Sequence, residues 1–320
     1  MNQEAGRTVR EESSSTTRAG ILRLQAGEHV NRTEAMVVAF GYGSWAGGRG
    51  LSREELYAHL VEHGIAGPVA TPRENNLRNY RLLSERDPRY LFGLEPDGTW
   101  TAEEVLALMA DRCGVSPDSA YRNGPDTIDP ERTLDALDEL ADRLRLAAER
   151  RERVLVATGH PAGLLGVHMA VAAGLARAGC RILRPGAGWR YEIHTPAGLA
   201  SREVRYLEGV GVLSSRGELN HTHSARPIRA LLGIMAERGE PLPDLVVGDH
   251  GWTGGAGQAG VDAVGFADSN DPALFVGQAE KRVRIVVPLD DNIAPHRYEP
   301  LTAYLLGRAG LFLNRTYQNE

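Results

Sequence analysis

Cysteine is scarce in this 320-residue chain: Cys113 and Cys180 stand alone and far apart. That excludes a disulfide scaffold and fits a reducing compartment. Long apolar runs are missing too; none approaches the roughly 20 residues needed to span a bilayer. The N-terminus lacks the basic, apolar and small-residue order of a secretory signal. Charge of one sign is in short supply, with a formal net charge of −6, so electrostatics give no reason to expect a nucleic acid or a membrane surface as partner. No repeat of solenoid length occurs. What is present is a length that fits one large or two modest domains and 42% hydrophobic residues, enough for a substantial core. The expectation is a soluble, cytoplasmic, globular protein without a nucleic-acid or membrane partner. No feature of the sequence sets its oligomeric state.

Along the chain, residues 1–48 are polar ("REESSSTTR") or Gly-rich ("GYGSWAGGRG") and read as a disordered extension, with one apolar piece, "EAMVVAFGYG". From Leu51 the pattern sharpens. Ser52 with Glu55, and Thr101 with Glu104, are capping-box pairs opening helices. Asp129 followed by Pro130 opens a third, whose Leu134, Leu137, Leu140 and Leu144 share one face. Residues 49–150 are therefore expected to be mainly helical. At Arg153 the composition changes. "RVLVATG", a helical "PAGLLGVHMAVAAGLARAG" and "CRIL" form a βαβ unit. "DLVVGD", "DAVGFAD" and "VRIVVPLDD" follow, separated by helices or Gly-rich loops. Residues 151–320 thus read as an α/β domain carrying the site, a mostly parallel sheet covered by helices on both faces. The stretch 184–220 reads as irregular, a surface excursion or a cap, with one strand at "GVGVLSS".

Ligands of open parallel sheets bind beyond the carboxyl ends of the strands. Here those ends carry Gly159-His160, Asp249-His250, Asp268-Ser269-Asn270-Asp271 and Asp290-Asp291-Asn292. Asp249 and Asp268 have no helix pattern immediately behind them, which favours function over capping. Asp271 precedes Pro272 and reads as an N-cap. Adjacent Asp290 and Asp291 point to opposite faces of extended chain, so the useful pair is Asp290 with Asn292. The turn at Gly159 and His160 offers backbone N–H groups at a helix N-terminus, an anion site. It is neither a Walker loop nor a dinucleotide fingerprint, and an ordinary turn is the plain alternative. His160 can act as acid, base or phosphate donor, whereas His168 reads as packing. In "NHTHSARPIRALL", His221 and His223 share one face beside Ser224 and a new helix. Phosphate contact, metal ligation and structure all remain open for them. "ATPRENNLRNYRLL" gathers Arg73, Asn75, Asn76, Arg78 and Asn79, either an anion clamp or a polar interface to the sheet.

The stretches "TPRENNLRNY", "RVLVATGHPAGLL", "HTHS", "LPDLVVGDHGW", "AGQAGVDAVGFADSNDPALF" and "VPLDDNIAPHRYEPLTAYLL" together resemble an actinomycete family labelled simply phosphatase, over about residues 51–311. Ala162 stands where that pattern often has a second Gly, and 184–208 matches poorly. The resemblance implies hydrolysis of phosphate esters. The Asp-x-Asp-x-Thr, Cys-x5-Arg and Arg-His-Gly patterns of other phosphatases are absent; carboxylate-metal phosphatases on a parallel sheet are the nearest analogy. Phosphoryl charge must be neutralised and a water or nucleophile activated. Asp and Asn oxygens suit Mg²⁺ or Mn²⁺. The expected metal ligands are Asp249, Asp268, Asn270, Asp290 and Asn292. The expected catalytic groups are Asp249, His250, His160 and His223. Arg73, Asn75, Asn76, Gly159, His221 and Ser224 are expected to bind a small, sugar- or nucleotide-like phosphorylated substrate. A sugar-phosphate or nucleotide sensor without turnover is the rival from another class. A phosphosugar isomerase or lyase with His160 or His223 as base is the third.

Overall fold

The computed structural model describes residues 51–195 and 198–312. The expected extension over 1–48, with its apolar piece, lies outside the described residues. The helical region begins with α1 (Arg53–Glu62), and both capping boxes form. Ser52 accepts from the Glu55 backbone N–H at 3.1 Å while Glu55 accepts from that of Ser52 at 2.8 Å. Thr101 and Glu104 repeat the exchange at α3 (Ala102–Arg112). Between them lie β1 (Gly67–Pro72) and α2 (Arg73–Ser84). β1 pairs antiparallel with β2 (Pro125–Ile128) in a sheet of its own. Asp129 caps α4 (Pro130–Arg150), accepting from Glu131 N at 2.9 Å.

The main sheet contains β3 (Arg153–Ala157), β4 (Arg181–Ile182), β5 (Arg190–Thr195), β6 (Gly198–Leu207), β7 (Val210–Ser215), β8 (Glu218–Asn220), β9 (Leu245–Asp249), β10 (Ala263–Ala267) and β11 (Ile285–Pro288). Its order is β11-β10-β9-β3-β7-β6-β5, with β4 beside β3 and β8 beside β7. The centre is parallel, as expected for an α/β fold. Strands β5 to β8 are antiparallel. The stretch 184–220 is therefore not irregular: most of it is a meander that extends the sheet. Its Gly turns and half-exposed strands hid the alternation that a buried strand displays.

Alternation in β3 shows how the layers form. Val154 and Val156 join the larger core with α4, α5 (Pro161–Arg177) and α9 (Glu299–Arg308). Leu155 and Ala157 face the other way, towards Ile228 and Leu231 of α6 (Arg226–Glu237). The larger core also holds Leu56, Val105 and Leu134 from the helical region, so those helices pack on the same layer.

A further helix, α7 (His250–Gln258), follows β9 directly, and α8 (Pro272–Ala279) follows β10. "HGWTGGAGQ" looks like a loop because each helical Gly costs about 1 kcal/mol relative to Ala. The cost is offset because this helix is sunk between neighbours. A Cβ at Gly254 would collide with the Phe92 carbonyl, and one at Gly251 with the backbone of His223 and Ser224. Glycine here lets the His221–Ser224 segment lie flush against the helix. Among the described residues, no helix is long and apolar enough to cross a membrane.

Candidate functional site

Because β3, β9, β10 and β11 are parallel, their carboxyl ends share one edge, and β1 closes over it. A cleft of about 490 Å³ lies there. Its floor is made by His160, His250, Asp268, Asp271, Asp290 and Asp291, with half-buried His223 and exposed His221 above them. Its outer wall is made by Asn75, Asn79, Asn270, Asn292, Tyr90 and residues 70–72.

His250 is the hub. It is buried and has a left-handed backbone, φ 43°, a conformation that costs a non-glycine residue energy and concentrates at functional sites. Its Nδ1 lies 3.1 Å from Asp249 Oδ1, and its Nε2 lies 3.0 Å from Asp271 Oδ2 and 3.3 Å from Asp291 Oδ2. Burial opposes a charged ring, but Asp271 and Asp249 overcome it and raise the His250 pKa well above its ordinary value. His223 stacks on His250 with ring centroids 4.7 Å apart, and His221 lies 5.1 Å away. Burial, reinforced by the His250 charge, pushes His221 down to about 3 and His223 down to about 4. Both are neutral imidazoles at pH 7, the form that ligates a metal. His160 is lowered by burial and His250 as well.

The acids divide into two kinds. Asp249 is fully buried below the cleft and accepts from Thr158 Oγ1 at 2.5 Å, Gly159 N at 2.5 Å and His168 Nε2 at 3.0 Å. Burial raises its pKa, yet the bonds from His168 and His250 win and hold it well below the usual carboxylate range. The others sit close together. Burial and the charges of Asp290 and Asp271 push Asp268 up to about 8. Burial likewise raises Asp290, and raises Asp291 well above the ordinary value. Three overlapping sets have donor atoms all within 4.8 Å of one another: His221, His223 and His250; His250, Asp271 and Asp291; Asp268, Asp290 and Asp291. Asp290 Oδ2 and His160 Nδ1 are buried and make no hydrogen bond, and Asp291 Oδ2 has only the misaligned 3.3 Å approach of His250. Unsatisfied acceptors on crowded acids fit a divalent cation, which would neutralise what protons must otherwise neutralise.

Several expected residues are placed elsewhere. Asp249 does not line the cleft; its bonds consume it in orienting His250, and α7 begins directly behind it. The N–H of Gly159 donates to Asp249, and that of His160 to Thr158 Oγ1 at 3.0 Å. That turn therefore presents no free anion nest. Ser224 Oγ accepts from Arg226 N at 3.1 Å, a local turn contact outside the cleft lining. Arg73 is no clamp: its guanidinium is fully buried, 2.9 Å from Asp126 and donating to the Asp118 and Tyr121 carbonyls. Asn76 joins it on Asp126 at 3.0 Å. Their work is to hold α2, whose Tyr80 and Asn79 then grip the Ser269 and Asn270 carbonyls at 2.7 and 2.8 Å. Asn75, Asn270, Asn292, Asp268, Asp290, His160, His221, His223 and His250 do meet in the cleft.

Four groups escaped the sequence reading. Asp271 occupies the cap position of α8 but makes no side-chain cap bond, because it pairs with His250 instead. Asp291 reaches the cleft with Asp290, since β11 ends at Pro288 and alternation stops there. His168 is a buried partner of Asp249 rather than packing alone. Thr71 donates to Asp268 Oδ2 at 2.6 Å. Only the "DP" and "DD" pairs carried any signal.

An α/β sheet with acids and imidazoles at its carboxyl edge is a frame that can carry hydrolysis, and the comparisons give that class. A sequence model of the family described as Phosphatase matches residues 51–313, so the chain belongs to that family, an enzyme acting on phosphate esters. Among individual proteins it is similar to Phosphatase SCO2771 of Streptomyces coelicolor, strain ATCC BAA-471 / A3(2) / M145. The two are 52% identical over 264 residues, 81% of this chain and 97% of that protein. The family's description is that of a hydrolase, the first of the three readings of the sequence.

Proposed function

We propose that the chain is a divalent-metal-dependent phosphatase of a small phosphorylated metabolite, sugar- or nucleotide-like. The carrying observation is the set of three overlapping donor groups that share His250 and Asp291 in one cleft. His221, His223 and His250 on one side, Asp268 and Asp290 on the other, and Asp271 and Asp291 between them would hold metal. Imidazoles and carboxylates together suit Mn²⁺ at least as well as Mg²⁺. A bound cation supplies Lewis-acid stabilisation of the phosphoryl oxygens and a more acidic water. The chain contributes the rest. Asp249 and His168 fix the His250 ring from below, the outer support that keeps a ligating imidazole oriented. His160, neutral at pH 7 and with Nδ1 3.6 Å from Asp291 Oδ1, is the group able to take or return a proton at the cleft floor.

The test is phosphate release from p-nitrophenyl phosphate and a phosphometabolite panel, before and after EDTA, with Mn²⁺ or Mg²⁺ restored. Loss on chelation and recovery with metal is the expected result. Activity indifferent to chelation, in protein free of bound metal, overturns the metal dependence.

A further inference from the structure

The cleft has an outer wall as distinctive as its floor, and it bears on the organic part of the substrate. Asn75, Asn79, Asn270 and Asn292 line it together with Tyr90. Asn79 is 6% exposed, and its amide orientation is determined by its partner. The Asn270 carbonyl can only accept, so Asn79 Nδ2 must donate to it, as it does at 2.8 Å. That leaves Asn79 Oδ1, a buried acceptor without a hydrogen bond, on a side chain that lines the cleft. A buried orphan acceptor destabilises the empty site and is relieved by a donor arriving with a ligand.

Four amides offer both donors and acceptors. A hydroxyl is also both, so neighbouring hydroxyls match such a wall whichever way each is turned. A second anionic group finds no free counter-charge: among the described residues lining the cleft none is Lys or Arg, His250 is already paired with Asp249, Asp271 and Asp291, and Asp268 and Asp290 add further negative charge. A flat base finds one phenol face, Tyr90, because the other rings of the cleft, His160, His221, His223 and His250, sit among the groups that would meet the metal and the phosphoryl group. From this wall we infer that the substrate is a phosphomonoester of a neutral polyhydroxylated group, a sugar or polyol monophosphate. A hydroxyl of that group donates to Asn79 Oδ1.

This inference rests on the phosphatase reading, and the test separates the two. The Mn²⁺-loaded full-length protein is assayed for kcat/KM on five classes of ester. These are sugar and polyol monophosphates, their deoxy analogues, nucleoside mono- and diphosphates, phosphorylated carboxylic acids, and p-nitrophenyl phosphate. The expected result is a preference of at least about tenfold for a hydroxylated neutral ester over the other classes, with a similar loss for the deoxy analogue lacking the donor. In Asn79→Leu the KM for the hydroxylated ester should rise further than that for p-nitrophenyl phosphate. The wild-type deoxy series decides the matter if that variant fails to fold. Turnover of p-nitrophenyl phosphate with a preference for nucleotides or for doubly anionic esters, or with no preference, overturns the inference and leaves the phosphatase reading standing. Hydrolysis of no ester under any metal overturns both.

Discussion

Asp249 lies beneath His250 with its Oδ1 3.1 Å from the ring Nδ1, while its other oxygen, Oδ2, lies 3.0 Å from His168 Nε2. The carboxylate is thus sandwiched between two imidazoles and also accepts from Thr158 and Gly159. This separates Asp249 from the acids that line the cleft, and the separation has consequences that can be measured.

Asp249→Asn puts an amide where only acceptors are wanted, so at least one neighbouring donor is left unsatisfied. The metal-free protein should lose about 1–3 kcal/mol, read from urea denaturation, and turnover should fall with it. Asp268→Asn should behave oppositely. Asp268 has its pKa raised to about 8 and so is largely protonated near neutral pH without metal; the amide mimics that form. Its metal-free stability should change by less than about 1 kcal/mol, while metal affinity and turnover drop. Equal destabilisation by both would contradict the division into a supporting acid and cleft acids.

Asp271→Asn distinguishes a cap from a partner of His250. A cap tolerates Asn almost fully. Asp271 makes no side-chain cap bond and instead faces His250 Nε2 at 3.0 Å. The variant should therefore lower the His250 pKa, followed by NMR titration of the ring, and reduce turnover about a hundredfold or more. Near-normal activity with an unmoved ring pKa would return Asp271 to the capping role.

Metal binding should release protons. The pKa values of His250 and Asp268 are raised, to well above the ordinary imidazole value and to about 8, so in the metal-free protein these groups keep protons near neutral pH, and burial shifts Asp291 in the same direction. His221 and His223, down at about 3 and 4, have none to lose. Below the raised values protons compete with the cation, so affinity should climb as pH rises from 6 to beyond the Asp268 value of about 8. Calorimetry in buffers of different ionisation heat should count about one or more protons released per ion at pH 7. A count of zero would mean that other atoms take the metal.

Arg73→Lys should damage stability and spare recognition. Lysine cannot reproduce the contacts to Asp126, Asp118 and Tyr121. A loss of about 1–3 kcal/mol is expected, with KM for p-nitrophenyl phosphate within about twofold of wild type. A tenfold rise in KM in folded protein would restore the anion clamp.

The chain's local physics was legible without a structure. Capping pairs at Ser52 and Thr101 announce helices because the bonds span three residues. The runs at 153–157, 245–249 and 263–267 announce buried strands because both of their faces must be apolar. From a parallel sheet it follows that the groups after those strands gather at one edge, and they do. Which of these groups line the cleft was decided only in three dimensions. Asp249 and Asp271 both directly precede a helix, yet one is sealed beneath His250 and the other faces it from the cleft. The difference lies in His168, 81 residues from Asp249 in sequence, and in the turn of His250 into left-handed backbone. Arg73 became structural through Asp126, 53 residues away. Burial, hydrogen-bond partners and the direction of a chain after its strand ends are set by contacts distant in sequence, and local periodicity carries no trace of them.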